Sequence, residues 1–287
     1  MWKAPLPPSS WERSDRLRTA LEDHVVALPG AINALSARLI EQRGFEAIYV
    51  SGGVLANSVG GVPDIGLMTL SESATHCSNI ARATTLPIIA DADTGYGGPE
   101  NTYRTVRVLE SAGVSGIHLE DQEFPKRCGH LDGKSLVSQE EFCEKIAAAC
   151  EAKNNKDFLL IARTDARGVT GYDDAVTRAH AYLEAGADAI FPEALQNEEE
   201  LRRFADDVDT ILLANMTEFG KTPYLTIEQF GELGYSLVIF PVTLQRVAMK
   251  AMDEALLELR EERTQENLLS QMQTREELYE LLKYRPR

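Results

Sequence analysis

Eight short apolar runs punctuate the chain, at residues 25–28, 47–50, 87–90, 116–119, 158–162, 189–191, 211–214 and 237–240. Each has strand length, and amphipathic text of helical period lies between most of them. The residues that follow the runs are polar, mostly acidic or glycine-rich: Pro-Gly, Ser-Gly-Gly, Asp-Ala-Asp-Thr-Gly, Glu-Asp-Gln, Arg-Thr-Asp, Pro-Glu-Ala, Asn-Met-Thr-Glu and Pro-Val-Thr. Eight such units predict an α/β chain folded as a (β/α)8 TIM barrel, whose strands carry the chemistry at their carboxyl ends.

Helices are predicted over residues 102–112, 140–152, 172–185 and 198–207, and recurrent glycine stops at Gly44, Gly113 and Gly186 each precede a strand. The phrases Glu-Ser-Ala-Gly-Val-Ser-Gly-Ile and Glu-Ala-Gly-Ala-Asp-Ala-Ile echo one another, as a repeated β/α unit requires. Beyond the eighth run, residues 244–260 and 276–282 read as further helix, more than one closing helix needs. The expected organisation is one barrel domain over residues 1–287 with a C-terminal helical extension from about residue 244. A surplus amphipathic tail of this kind packs on a neighbouring subunit, so an oligomer is expected.

Alternation along each strand sorts side chains between the barrel axis and the helical layer. Ile117 and Leu119 facing the helices turn His118 and Glu120 inward; by the same count Ile89, Asp91, Asp93, Ile161, Arg163 and Asp165 point to the axis. Tyr49, Ser51, Glu193, Asn215 and Thr217 join them. Inward positions rise by about 6.6 Å per pair of residues, so the last of each set reaches the rim.

The formal net charge of −16, with no Lys/Arg-rich run, argues against nucleic acid or an anionic membrane as partner; solubility is the simpler use of the charge. No apolar stretch has the ~18 residues of a membrane span, and residues 1–13, broken by three prolines, lack a signal-peptide core. A cytoplasmic location is expected. Cys77, Cys128, Cys143 and Cys150 form no Cys-x-x-Cys pair, which suits reduced thiols without a zinc site.

Asp91 and Asp93 share one face of a strand end and suit a hard divalent ion such as Mg2+, or else serve as turn and cap residues. Glu120 stands at the same height, either reaching that ion through water or pairing with a cation inside the barrel. In Lys126-Arg127-Cys128-Gly129-His130 a thiol is flanked by two cations and a histidine, the setting of a reactive cysteine. Basic neighbours favour a thiolate nucleophile or base; bound carboxylates favour a general acid. Arg163, Arg246 and Arg275, with Asn215 and Thr217, offer donors for carboxylates, although Arg163 can equally pair with Asp165 or Glu193, and Arg246 and Arg275 lie in helical text where arginines are commonly solvated. Tyr49, a packing residue or a site residue, and Ser51 precede Gly52 and Gly53, whose backbone amides can face an oxyanion. No lysine ends a predicted strand, against a Schiff-base aldolase, and no strand-linked dinucleotide fingerprint is present. The set fits carbon–carbon cleavage beside a carboxylate.

Lys-Arg-Cys-Gly-His, Asp-Ala-Asp-Thr-Gly, Ile-His-Leu-Glu-Asp-Gln, Ala-Arg-Thr-Asp-Ala, Phe-Pro-Glu-Ala, Asn-Met-Thr-Glu-Phe-Gly and the closing Met-Gln-Thr-Arg-Glu-Glu-Leu-Tyr resemble the isocitrate lyase and phosphoenolpyruvate mutase superfamily, and within it the 2-methylisocitrate lyases. The cysteine loop belongs to the lyase branch; isocitrate lyases proper are much longer chains. The resemblance implies a barrel with a C-terminal helix swapped between subunits of a homotetramer, Mg2+ and no organic cofactor. It also implies cleavage of (2S,3R)-2-methylisocitrate to pyruvate and succinate in the methylcitrate cycle of propionate catabolism. By the same resemblance Asp91 and Asp93 hold Mg2+, while Ser51, Gly52, Gly53 and Arg163 bind the pyruvate-forming portion. Cys128 protonates the succinate carbanion, with Gly129 and His130 beside it. Glu193, Asn215, Thr217, Arg246 and Arg275 match substrate contacts, and Tyr49, Asp64, Glu120, Lys126 and Arg127 match supporting positions. The continuation Leu-Asp-Gly-Lys also resembles lyases and hydrolases of dimethylmalate and oxaloacetate. A different class of reading is a non-catalytic barrel that keeps only metabolite binding.

Overall fold

Alternating strand and helix signals fold into eight parallel strands in a computed structural model that describes residues 7–127, 129 and 133–285. In chain order the elements are α1 (Ser10–Asp23), β1 (Val26–Pro29), α2 (Ala34–Gln42), β2 (Ile48–Val50), α3 (Gly52–Leu55), α4 (Leu70–Ala81), β3 (Ile88–Asp91), α5 (Pro99–Ser111), β4 (Gly116–Glu120) and α6 (Gln139–Ala152). They continue with β5 (Leu159–Thr164), α7 (Tyr172–Glu184), β6 (Ala189–Pro192), α8 (Glu198–Asp207), β7 (Ile211–Asn215), α9 (Ile227–Glu232), β8 (Leu237–Phe240), α10 (Thr243–Glu262) and α11 (Arg275–Leu281). The strands run β1-β8-β7-β6-β5-β4-β3-β2, and the gap between β1 and β2 is bridged by Gly30 against Tyr49, with Ala31 N–H donating to Tyr49 O at 2.9 Å. Gly30 is required there because a Cβ would stand 2.0 Å from the Pro241 carbonyl oxygen. The expected TIM barrel is thus formed, each strand within a residue or two of its apolar run.

Two separate apolar layers follow from the alternation. Ile88, Ala90, Ile117, Leu119, Leu160 and Ala162 pack outward beneath the helices, whereas Tyr49, Ile89, Ile161, Phe191, Leu213 and Ile239 fill the axis. The predicted glycine stops fall at left-handed backbone, with φ of +82° at Gly44, +95° at Gly113 and +109° at Gly186, a region open to glycine at little cost.

Ahead of β1, helix α1 begins at Ser10 behind a reciprocal cap. Ser9 Oγ accepts from Glu12 N at 3.2 Å, and Glu12 Oε2 accepts from Ser9 N at 2.7 Å. The helix then plugs the amino end of the barrel. Leu17 is buried in the axial layer, and Arg13 donates to the carbonyl oxygens of Gly113 (3.0 Å), Ala81 (2.5 Å) and Thr84 (2.7 Å). Those carbonyls lie where α4 and α5 turn back toward β3 and β4, so the opposite mouth alone is left for chemistry. Among the described residues no helix is long and apolar enough to cross a membrane.

Candidate active site

Asp91 is the last residue of β3, and Asp93 sits two residues on with φ of +48°, a left-handed turn that folds its carboxyl back over the rim. Asp91 Oδ2 accepts from Gly52 N at 3.2 Å and Oδ1 from Asp93 N at 2.9 Å. The Gly52 amide is therefore engaged by Asp91, and a Cβ on Gly52 would stand 3.0 Å from Asp91 Oδ2. Buried Lys126 lies 2.8 Å from Asp93 Oδ1 and pairs with Asp64 on its other side. Burial pushes the Asp91 carboxyl up, but His118, Lys126 and Arg163 outweigh it and hold it at about 2. For Asp93 burial, reinforced by Asp91, prevails over Lys126 and brings the carboxyl to about 6.

Beside this pair runs a chain of buried charges. Arg163 on β5 gives Asp165 two bonds, Nε to Oδ2 at 2.9 Å and Nη2 to Oδ1 at 3.2 Å. The same guanidinium lies 3.4 Å from Glu120 Oε2 and 3.4 Å from Glu193 Oε2, and sits over the Phe191 ring. Glu193 in turn accepts from Ala194 N at 2.8 Å and from Asn215 Nδ2 at 3.1 Å. Both readings left open for Arg163 are compatible with this geometry: it has acidic neighbours and still faces the cavity.

Glu120 is the telling member. Although 1 % exposed, neither of its carboxylate oxygens accepts a hydrogen bond among the described residues. Burial raises its carboxyl well above the usual range, against the pull of Arg163 and Lys126. Buried acceptors without donors are rare, and those at a rim point to water or an ion between protein groups. Two aspartates with such a glutamate fit Mg2+, which takes few protein carboxylates and keeps several waters. Among the described residues no three or more His, Cys, Asp or Glu side chains are close enough together to cage a metal ion by themselves, so the ion would rest on the two aspartates and water.

Deeper on the axis, Tyr49 Oη and His118 Nε2 are 2.7 Å apart and their rings stack. Burial holds the His118 imidazole at about 4 and lifts the Tyr49 phenol well above its usual range. The pair is thus a neutral imidazole with a protonated phenol, beneath the carboxylates.

Above these groups opens a cavity of about 370 Å3. Tyr49, Ser51, Gly53, Asp64, Asp91, Glu120, Lys126, Arg127, Gly129, Arg163, Glu193, Asn215, Thr217 and Arg246 all line it, so most sequence candidates converge on one space. Ser51 also caps α3, its Oγ accepting from Val54 N at 3.3 Å. Arg246 enters from the start of α10, with Nε 3.6 Å from Glu218 and its guanidinium over Phe219. Asp93 borders a neighbouring, larger cavity of about 790 Å3 between the starts of α4 and α5 and the segment at Phe124. The convergence of charge is in the smaller one. Arg275 does not join: it opens α11, exposed and away from the lining. Cys128 and His130 lie outside the described residues.

Sequence reasoning left other contributors unassigned. His118 was placed on the axis without a role. Lys134, buried and bonded to Asp165, carried no local signal, being one lysine after a glycine in a loop. Phe191, Ile239 and Pro241 give the cavity an apolar wall that only the closed barrel assembles.

The family model described as phosphoenolpyruvate phosphomutase matches residues 17–260. The chain belongs to the phosphoenolpyruvate phosphomutase family. Within that family it is similar to the 2-methylisocitrate lyase of Aeropyrum pernix, 52% identical over 93% of this chain and 86% of the relative. A probable 2-methylisocitrate lyase 1 of Corynebacterium glutamicum is 53% identical over 91% of this chain and 86% of its own length. Among solved structures, a 2,3-dimethylmalate lyase, described as a member of the PEP mutase/isocitrate lyase superfamily, superposes with a TM-score of 0.89 at 36% identity, covering 96% of this chain and 92% of that one. An oxaloacetate acetylhydrolase bound to 3,3-difluorooxalacetate gives 0.88 at 35% identity, covering 97% and 94%. A phosphonopyruvate hydrolase in complex with oxalate and Mg2+ gives 0.85 at 32% identity, covering 94% and 95%. The phosphomutase-family match includes every strand and all the cavity-lining residues named above.

Proposed function

We propose that this chain is a Mg2+-dependent carbon–carbon lyase that cleaves (2S,3R)-2-methylisocitrate to pyruvate and succinate. The observation that carries the reading is the identity of more than half to lyases of that name over more than nine-tenths of the chain. The cavity's chemistry supports it. Asp91 and Asp93 would hold the metal, with Glu120 turned toward its waters. When bound, Mg2+ supplies Lewis acidity to the oxygen that becomes the pyruvate carbonyl.

The chain's own groups account for the rest. Arg163 meets the carboxylate of the pyruvate-forming portion, beside Ser51 and Gly53, while the Gly52 amide, which the resemblance also assigned to that portion, is held by Asp91 and lies off the lining. Glu193, Asn215, Thr217 and Arg246 make further contacts with the substrate, and Arg275, away from this chain's own cavity, would reach a site from a neighbouring subunit. Lys126 and Arg127 offset the acidic rim, with Asp64 anchoring Lys126. A base at the acidic rim takes the hydroxyl proton, the C2–C3 bond breaks with its electron pair on the succinate carbon, and Cys128 donates the proton that quenches that carbanion, with Gly129 and His130 beside it. Tyr49, kept protonated, offers a neutral donor to the reacting oxygen. The apolar wall of Phe191, Ile239 and Pro241 provides for the substrate's methyl group.

The reaction belongs to propionate catabolism by the methylcitrate cycle, in the cytoplasm. The chain works as a homotetramer with a C-terminal helix exchanged between subunits. Support for exchange comes from α10, a 20-residue helix in which Gln245 alone is buried while Met249, Met252 and Leu256 stand exposed. A second reading, cleavage of 2,3-dimethylmalate or hydrolysis of oxaloacetate, is favoured by the solved structures of those enzymes. Comparing kcat/KM for the three substrates with Mg2+ tests the proposal. The largest value is expected for 2-methylisocitrate, with severe loss in Cys128→Ser; a preference for either other substrate overturns it.

A further inference from the structure

The segment that leaves β4 and returns to α6 is tied down by its described residues at several points. At its base Gln122 bridges Leu136, and Glu123 N–H donates to Ser135 O at 2.9 Å. The Gln122 side chain clasps the Arg127 backbone, accepting from its N–H and donating to its carbonyl, both at 2.9 Å. The next tie is Lys134. Its buried ammonium donates to the Gly129 carbonyl and to Asp165 Oδ1, the latter at 2.7 Å.

Gly129 is the covalent neighbour of Cys128 and lies hard against the barrel's charges. A Cβ there would come 2.3 Å from Arg163 Nη2 and 2.6 Å from Glu193 Cγ. Asp165 serves both sides at once, holding Arg163 by two bonds and Lys134 by one. A buried ammonium is tolerated only when it is paired and hydrogen-bonded, and these two acceptors meet that requirement. Lys134 does not line the cavity, and among the described residues its hydrogen bonds lead toward it through Gly129 and Asp165.

We infer that Lys134 is a positioning residue for the lyase reaction: it fixes the Gly129 backbone next to Cys128 by sharing the carboxylate that orients Arg163. The inference rests on the lyase reading above. Without Lys134 the guanidinium keeps both of its bonds to Asp165, so a carboxylate still binds at Arg163 while proton delivery beside Gly129 is misplaced.

The test uses the full chain with Mg2+ and the variants Lys134→Met and Lys134→Arg. In Lys134→Met kcat is expected to fall about 100-fold, the effect of an ångström-scale misplacement, with the inhibition constant for pyruvate within about twofold of the parent. Lys134→Arg, which keeps charge and reach, restores most of the loss. A readout independent of turnover is tryptic cleavage after Arg127, expected to be about tenfold faster in Lys134→Met because the local opening free energy falls. Parental kcat and parental cleavage in Lys134→Met overturn the inference, and so does an equal loss in kcat and pyruvate binding, which marks a general collapse of the site. If the parent protein cleaves no 2-methylisocitrate, the lyase reading fails instead, and the cleavage rate after Arg127 still decides whether Lys134 is the clamp.

Discussion

At the amino end of the barrel Arg13 sends its guanidinium to three backbone carbonyls, whereas at the carboxyl end Glu120 has no donor for either oxygen among the described residues. Both groups are 1 % exposed. Burial lowers the Arg13 guanidinium to about 10, so it stays charged, and the carbonyls that receive it belong to chain turns that would otherwise lack partners. Glu120 has Arg163 Nη1 3.4 Å from its Oε2 and feels the charges of Lys126 and Asp165 as well, without a hydrogen bond from any of them. One end uses its two terminal guanidinium nitrogens to close the fold, although Arg13 Nε finds no partner among the described residues. The other keeps acceptors waiting for a ligand, and the stability forgone there is the physical mark of a site.

Substitutions at the two ends should therefore separate activity from stability. The largest effect is expected from Arg163→Met, which removes the guanidinium facing the cavity and lowers kcat/KM about 1000-fold. Steady-state kinetics check it, and a loss below tenfold would detach Arg163 from substrate. Next comes Leu17→Ala at the plugged end, expected to cost about 3 kcal/mol of unfolding free energy in urea melts while kcat per folded molecule is unchanged. An activity loss without destabilisation would mean the plug communicates with the rim. Glu120→Gln should lower activity about 100-fold yet raise stability by about 1 kcal/mol, because a buried, poorly compensated carboxylate is exchanged for a neutral amide. A drop in stability instead would show that Glu120 is paid back within the protein alone.

The smallest effect concerns His76 on α4, which lies at neither end and serves as a control. Burial lowers its imidazole below the ordinary 6.5, and its Nε2 has no hydrogen-bond partner among the described residues. The unfolded chain therefore takes up a proton first as pH falls. The stability held above 6.5 is lost progressively as pH drops from there toward the folded value. Between pH 7.5 and 5.5 this amounts to no more than about 1.4 kcal/mol. Urea melts of His76→Gln should show a correspondingly flatter pH dependence, and an unchanged slope would place that proton uptake elsewhere.

Legibility in the text followed locality. Eight apolar runs ending in polar tails were readable because a strand buried on both faces and a catalytic rim impose opposite demands within a few residues. The alternation that turned Asp91, Glu120, Arg163 and Glu193 inward needed only the two-residue period of a strand, and all four line the cavity or border its charges. The cap of α1 is equally local, spelled by Ser9 and Glu12 three residues apart. Lys134 had no such local spelling. Its partner Asp165 is 31 residues away, and nothing short of the folded barrel brings the two together.

What the amino-acid order determined alone was the periodicity: which residues form strands, which face the axis and which reach the rim, since those depend on backbone geometry repeated every two or 3.6 residues. Tertiary structure decided the rest, namely that Glu120 accepts no hydrogen bond among the described residues, that Asp165 divides itself between Arg163 and Lys134, and that Phe191, Ile239 and Pro241 line one cavity. Pairing, desolvation and cavity shape are properties of distances between strands far apart in the chain, and those distances exist only once the barrel has closed.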